Sequence, residues 1–299
     1  MALLTDNMRG ALLMALSMSA FTVNDTLMKL ASDEVAFHQS IFYRGLMITT
    51  GLLLMGIYQR RLSFRVSRRD GWLIALRSLA EVLGTWWFLT ALYQMPIANL
   101  SAILQSLPLT VTLAAVLIFR EPVGWKRLSA ILVGFVGVIL IVQPGTSGFS
   151  SYSLLGVAAV IAVTVRDLAA RRLSRDVPSL LVALGAAVGV TAYAFLFSAG
   201  EVWPPLSFAS FAKLFFAALC LMAGYIAAVS AMRVGEIGFV APFRYVSLLV
   251  ALILGLLVFG DWPNALTLSG AAIVVATGLF TLYRERMVRR KARLGLRIR

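Results

Sequence analysis

Arg77 and Glu81 stand one helical turn apart inside the apolar stretch Gly71–Tyr93. Ten residues into that stretch is about 15 Å at the helical rise of 1.5 Å per residue, which puts Glu81 near the middle of any layer the stretch crosses. A carboxylate at such a depth could contact an ammonium group of a solute or accept a proton. It could equally form an i,i+4 ion pair with Arg77 that holds two helices together. Asp25 and Asp167 are also set in apolar sequence, each with a cation four residues on, Lys29 and Arg171. These pairs could latch a moving element by exchanging partners, or could merely neutralise charge near helix ends. Arg166 lies some fourteen residues into its apolar run and needs an anionic partner or the carboxylate of a solute.

Arg44 and Arg244 stand closer to the ends of their runs, where a long cationic side chain can snorkel to the interface. Arg244 has Pro242 before it and Phe243 and Tyr245 beside it, a setting that could hold a carboxylate. Among the aromatic residues, Trp86 is too deep for an interfacial belt, and Tyr225 falls within one position of the residue that corresponds to Trp86 in the repeat described below. Both could receive an apolar or cationic group on their rings. Ser101 and Gln105 offer hydrogen-bonding groups one turn apart on a stretch that also carries Pro108; bonding between helices is their other use. His38, the only histidine, reads as a cap at a helix end or as a proton-coupling group. Cys220 is the only cysteine and reads as packing.

The elements that must position these groups follow from composition. Of 299 residues, 60% are hydrophobic and only 13% charged, which is a membrane composition. A spanning helix takes about 20 apolar residues. The punctuation of the apolar runs predicts spans at Gly10–Leu30, Phe37–Tyr58, Gly71–Tyr93, Ala98–Phe119, Trp125–Gln143, Tyr152–Arg171, Ser179–Ala199, Phe208–Met232, Gly238–Phe259 and Asn264–Tyr283. The first run flows into a loop without a small-residue cleavage site, so it reads as a retained helix and not a signal peptide.

The net charge of +14 comes from basic residues in alternate loops, which points to anionic lipid and not to nucleic acid. Arg9, the group Arg60, Arg61, Arg65, Arg68 and Arg69, then Arg120, Lys126 and Arg127, then Arg171, Arg172 and Arg175, then Arg233 and the tail share one side. The opposite connections, SDEVA, QMPI, QPGTSGFSS, the segment around Glu201, and GDWP, contain no Lys or Arg. Both termini are therefore predicted to be cytoplasmic, with an even number of spans.

Residues 20–35 set against 162–177 give six identities: Ala20, Thr22, Val23, Asp25, Ser32 and Val35 meet Ala162, Thr164, Val165, Asp167, Ser174 and Val177. A second window, 84–121 against 224–261, repeats Gly84, Ala91, Ile97, Leu109, Leu117 and Phe119 and pairs Glu121 with Asp261. The near-equal offsets, 142 and 140, predict two homologous halves, 1–145 and 146–285, followed by a basic cytoplasmic tail, 286–299. Five spans per half is an odd number, so the second half enters the membrane inverted. That arrangement suits alternating exposure of one site to two faces.

The stretch Ala91–Ile141, with Pro108 in the fourth span, the turn Phe119–Arg120–Glu121 and Gly134 and Gly137 in the fifth, resembles the EamA-type branch of the drug/metabolite transporter superfamily. The resemblance implies an all-α integral membrane protein with ten transmembrane helices. Helices one to four and six to nine would surround a central cavity, with five and ten behind. It also implies an exporter of small metabolites in the bacterial inner membrane, similar to the family's amino-acid exporters; cationic drugs and nucleotide-type metabolites are the alternatives. The substrate-binding candidates are Glu81, Trp86, Gln105, Arg166, Tyr225, Arg244 and Tyr245, and the gating or coupling candidates are Asp25, Lys29, Arg77 and Asp167. No cofactor or metal is expected. The small residues Ala130, Gly134, Gly137, Gly270 and Ala271 permit close helix approach, within the chain or to a second protomer. An enzyme is disfavoured because there is no His-Glu-x-x-His helix, no Gly-x-Ser-x-Gly elbow and no Gly-rich phosphate loop. A channel would be built on a ring of like residues, and the charges here are single and dispersed.

Overall fold

The computed structural model describes residues 5–58, 66–120, 124–146, 148–174 and 176–293. Arg60, Arg61, Arg65, Glu121, Arg175 and the end of the tail lie outside the described residues.

Among the described residues, ten helices are long and apolar enough to cross a membrane. They are α1 (Asp6–Ala31), α2 (Phe37–Tyr58), α3 (Arg68–Gln94), α4 (Ile97–Phe119), α5 (Trp125–Val142), α6 (Tyr152–Arg171), α7 (Ser179–Phe197), α8 (Phe208–Val234), α9 (Ala241–Phe259) and α10 (Ala265–Arg293). Large apolar side chains such as Leu54, Ile57, Leu117, Phe197 and Leu257 are exposed, while Thr22, Asn24, Gln39, Arg44 and Gln105 are buried. Such a surface suits lipid, because hydrocarbon offers no partner to polar groups and these must be satisfied inside the protein.

Local sequence explains where the helices begin and bend. α3 starts three residues before the predicted Gly71 because Ser67 caps its first turn. The Asp70 amide donates to Ser67 Oγ at 3.1 Å, and Ser67 Oγ donates to Asp70 Oδ2 at 2.7 Å. α4 is broken into Ile97–Leu104 and Leu107–Phe119, since Pro108 has no amide to donate and its ring collides with the carbonyl of Leu104, four residues back. α9 opens as a 3-10 segment, Ala241–Tyr245, and becomes α-helical at Val246. At the repeat offset of 140, Gln105 corresponds to Tyr245, so the two interruptions fall at matching places. The helix ends match as well: Arg120 after α4 and Gly260 after α9 both take the left-handed conformation, at φ 53° and 70°.

The chain forms two compact units, each drawing helices from both sequence halves. One comprises the described residues of Met1–Thr22, Met95–Leu154 and Ala223–Arg299. In it α5 and α10 run antiparallel, glycine against glycine. A Cβ at Gly137 would lie 2.8 Å from the Gly270 carbonyl oxygen, and one at Gly134 would lie 2.8 Å from Thr277 Oγ1. At the other end of α5, Gln143 Nε2 donates to Asn264 Oδ1 at 2.8 Å and to Thr267 Oγ1 at 3.1 Å. The interruptions of α4 and α9 meet in the same unit, where Gln105 Nε2 donates to Ser247 Oγ at 2.7 Å.

The other unit comprises the described residues of Val23–Gln94 and Leu155–Met222. Here α2 and α7 run antiparallel. Gln39, at the start of α2, donates to the Pro204 carbonyl beyond the end of α7 at 2.9 Å, and Thr49 meets Thr191 nearer the middle. α3 lies parallel to α7, with Ile74 against Gly185, Val82 against Gly189 and Trp86 against Tyr193. The snorkelling read for Arg44 is corrected: its side chain is buried, because α1 supplies a polar partner within the membrane layer.

Candidate functional site

α3 spans Arg68–Gln94, so Glu81 stands at its midpoint. It is met by cations from two directions. Arg166 of α6 donates from Nη1 to Glu81 Oε1 at 3.2 Å. Arg77 Nη2, one turn back on α3, stands 3.5 Å from Glu81 Oε2, near enough for an ion pair though not aligned for a hydrogen bond. Arg77 Nη1 also donates to the Val182 carbonyl of α7 at 3.4 Å. Arg166 turns its remaining edge to Asp167, with Nε and Nη2 both 2.9 Å from Oδ1.

Two cations and two carboxylates therefore balance inside apolar sequence. Neutral pairing makes the cluster tolerable there, because a lone charge would cost several kcal/mol. The groups are only partly buried, and the side chains of Glu81 and Arg166 keep 18% and 21% of their exposure. They can thus change partners, which a fully buried pair could not do without leaving a stranded charge. Beyond Glu81 on the same helix, Trp86 is 41% exposed. Its ring is stacked near Trp87, with centroids 6.4 Å apart, and tilted against Tyr193 at 6.3 Å.

A second polar network lies in the same unit. Arg44 Nη1 of α2 donates to Asn24 Oδ1 at 3.4 Å, and Asn24 Nδ2 donates to Asp25 Oδ1 at 2.8 Å. The sequence reading did not place Arg44 here; the signal for it was the run Gln39, Ser40 and Arg44 on one helix, a polar group at almost every turn. Lys29, one turn after Asp25 on α1, is half-buried. At the start of α2, His38 Nδ1 lies 2.6 Å from Glu201 Oε1, and its Nε2 lies 3.3 Å from the Tyr193 hydroxyl.

The remaining candidates, Gln105, Tyr225, Arg244 and Tyr245, belong to the other unit. Gln105 is buried and bound to Ser247, and Thr22 of α1 donates to the carbonyl of that same serine at 3.4 Å. Tyr245 is buried with its hydroxyl against Gly278 of α10, where a Cβ would overlap it. Arg244 is exposed in the 3-10 segment. Tyr225 is 45% exposed and sits edge-on to Phe21, with centroids 5.3 Å apart. Among the described residues no group of His, Cys, Asp and Glu could hold a metal ion.

Comparison with known proteins gives this geometry a context. Residues 8–143 match the model of the EamA-like transporter family. The riboflavin transporter of Vibrio cholerae is 29% identical over 295 residues, covering 96% of this chain and 98% of its own. The S-adenosylmethionine uptake transporter of Rickettsia prowazekii is 24% identical over 271 residues, covering 91% of each. The pseudopaline exporter of Pseudomonas aeruginosa is 24% identical over 272 residues, covering 89% of this chain and 93% of that one. A solved crystal structure at 20% identity superposes with a TM-score of 0.58 over 91% of this chain and 98% of its own, a likeness of fold. The resemblance carried by Ala91–Ile141 thus falls within a family match over residues 8–143, and over nearly its whole length the chain is similar to membrane proteins named as transporters.

Proposed function

We propose that this protein is an alternating-access carrier that exports small organic solutes, amino acids first among them, across the bacterial cytoplasmic membrane. The observation that carries the reading is the cluster of Arg77, Glu81, Arg166 and Asp167. A zwitterion brings one ammonium and one carboxylate, and a site of paired, partly exposed opposite charges can release each to a solute group of matching sign. Trp86 and Tyr193, farther along α3 and α7, offer ring surface to the solute's side chain. The proposed inverted halves, 1–145 and 146–285, are supported by the antiparallel packing of two repeat-related helix pairs, α2 with α7 and α5 with α10. The Lys and Arg distribution supports cytoplasmic termini.

A second reading, a nucleotide-type metabolite as solute, is favoured by the relatives named for S-adenosylmethionine and riboflavin. The relatives are named for both uptake and export, so direction needs its own measurement. The deciding experiment is counterflow in proteoliposomes preloaded in turn with amino acids, nucleotides and cationic drugs. Saturable exchange of a labelled amino acid supports the reading; exchange confined to nucleotides selects the second. Flux that never saturates and shows no counterflow removes the carrier assignment. Everted vesicles then establish direction.

A further inference from the structure

We propose that Asp25 is the proton-coupling carboxylate of this carrier, loading a proton from one face of the membrane and releasing it to the other. The inference rests on the carrier reading and adds a driving ion to it.

Its basis is an asymmetry at symmetric positions. Asp25 and Asp167 correspond at the repeat offset of 142, as do Asn24 and Arg166. In the second half the carboxylate meets a guanidinium directly, Asp167 with Arg166 at 2.9 Å. In the first half a neutral amide stands between the carboxylate and its cation. Asn24 turns its oxygen to Arg44 at 3.4 Å and its nitrogen to Asp25 at 2.8 Å. Asn24 and Arg44 are more than nine-tenths buried, while Asp25 at the end of the relay keeps partial exposure.

The relay tolerates both protonation states. As a carboxylate, Asp25 accepts from Asn24 Nδ2 on Oδ1. As a carboxylic acid it keeps that bond and carries the added proton on Oδ2. Protonating Asp167 would instead take a direct contact from Arg166, which also serves Glu81. The charged and titratable groups of the network are Arg44 from α2 and Lys29 one turn along α1. The Tyr93 phenol of α3 joins them, lying 2.9 Å from Ser40 Oγ of α2 and within electrostatic reach of Arg44. The site thus holds fixed positive charge with one exchangeable proton beside it.

The step balances simply. Facing outward, the Asp25 carboxylate binds one proton; facing inward, the acid gives it to the cytoplasm, and the emptied carrier returns with solute. One proton enters for each zwitterion exported, so each cycle moves one net positive charge inward.

Three measurements on the full-length protein test this. Infrared difference spectra of purified protein in lipid, taken through a pH titration, should show a carboxylic-acid band in the wild type that Asp25→Asn lacks and Asp25→Glu restores in shifted form. Proteoliposome transport of labelled phenylalanine and labelled S-adenosylmethionine should show accumulation driven by a pH gradient in the wild type and in Asp25→Glu. In Asp25→Asn that accumulation should be lost while counterflow at equal pH remains. Identical infrared titrations in wild type and Asp25→Asn, or gradient-driven accumulation that survives in Asp25→Asn, overturns the assignment. Failure of both probes to give counterflow in the wild type counts against the carrier reading for those solutes, and the infrared titration still decides whether Asp25 takes up a proton.

Discussion

The hydroxyl oxygens of Thr49 and Thr191 stand 3.3 Å apart, and the two residues are separated by 142 positions, the offset at which Asp25 meets Asp167. A residue that touches its own repeat equivalent lies beside the axis that would relate the halves. Because α2 and α7 are antiparallel where these threonines meet, such an axis is perpendicular to the helices, as inverted halves require.

That relation predicts a topology. With Cys220 replaced by Ser, a cysteine at Ser150, between α5 and α6, should react with a membrane-impermeant maleimide in intact cells. A cysteine at Ile298 in the tail should react only after permeabilisation. Labelling of both positions from the same side would contradict the inverted threading.

Glu81→Gln should lower solute affinity or flux by about 10-fold to 100-fold. A hydrogen bond to a charged group contributes roughly 1.5–3 kcal/mol, and each 1.4 kcal/mol is about tenfold. Glutamine keeps the shape but leaves Arg77 and Arg166 without their shared anion. Counterflow kinetics distinguish the outcomes: a purely structural pair would lower thermal stability in detergent and leave the Michaelis constant unchanged.

The legible parts of this protein were those set by continuous apolar runs. The limits of α2 and α6 coincide with the predicted Phe37–Tyr58 and Tyr152–Arg171, because abrupt polar punctuation bounds those runs. α3 was predicted short because Ser67 caps it from inside a charged stretch that hydropathy reads as loop. The break in α4 was signalled only by Pro108. The pairing of Arg77 with Glu81 was legible from spacing on one helix, but that of Glu81 with Arg166, 85 residues away, depends on which faces of α3 and α6 meet. Arg44 shows the same limit, since depth alone cannot tell whether a long side chain turns to the interface or to a polar neighbour.

Arg120→Gly should stabilise the protein. Arg120 holds a left-handed conformation at the end of α4, φ 53°, which costs an L-residue with a Cβ roughly 1–2 kcal/mol. Its repeat counterpart Gly260 adopts that geometry without the penalty. Glycine loses more conformational entropy on folding, so the net gain should be on the order of 1 kcal/mol, read as a higher unfolding temperature in detergent. No change or a loss would mean that the Arg120 side chain contributes as much as its backbone costs.

Glu34 predicts a pH-dependent tie between the turn after α1 and the start of α8. Its Oε1 lies 2.6 Å from Lys213 Nζ, and Ser210 Oγ donates to its Oε2 at 2.5 Å. The bond from Lys213 chiefly, then that from Ser210, hold the carboxyl below the usual glutamate range. A depressed carboxylate pKa means that the stabilisation is present above the ordinary glutamate value and is lost as pH falls through the lowered one. The site is exposed, so added salt should weaken the tie as well. A spin label at Ala209→Cys, in the Cys220→Ser background, should be ordered at neutral pH and gain mobility only on strong acidification. In Glu34→Gln the label should be mobile throughout, because the amide keeps the size of the side chain and loses the charge that Lys213 holds. Mobility that rises with acid equally in both proteins would assign the transition to another group.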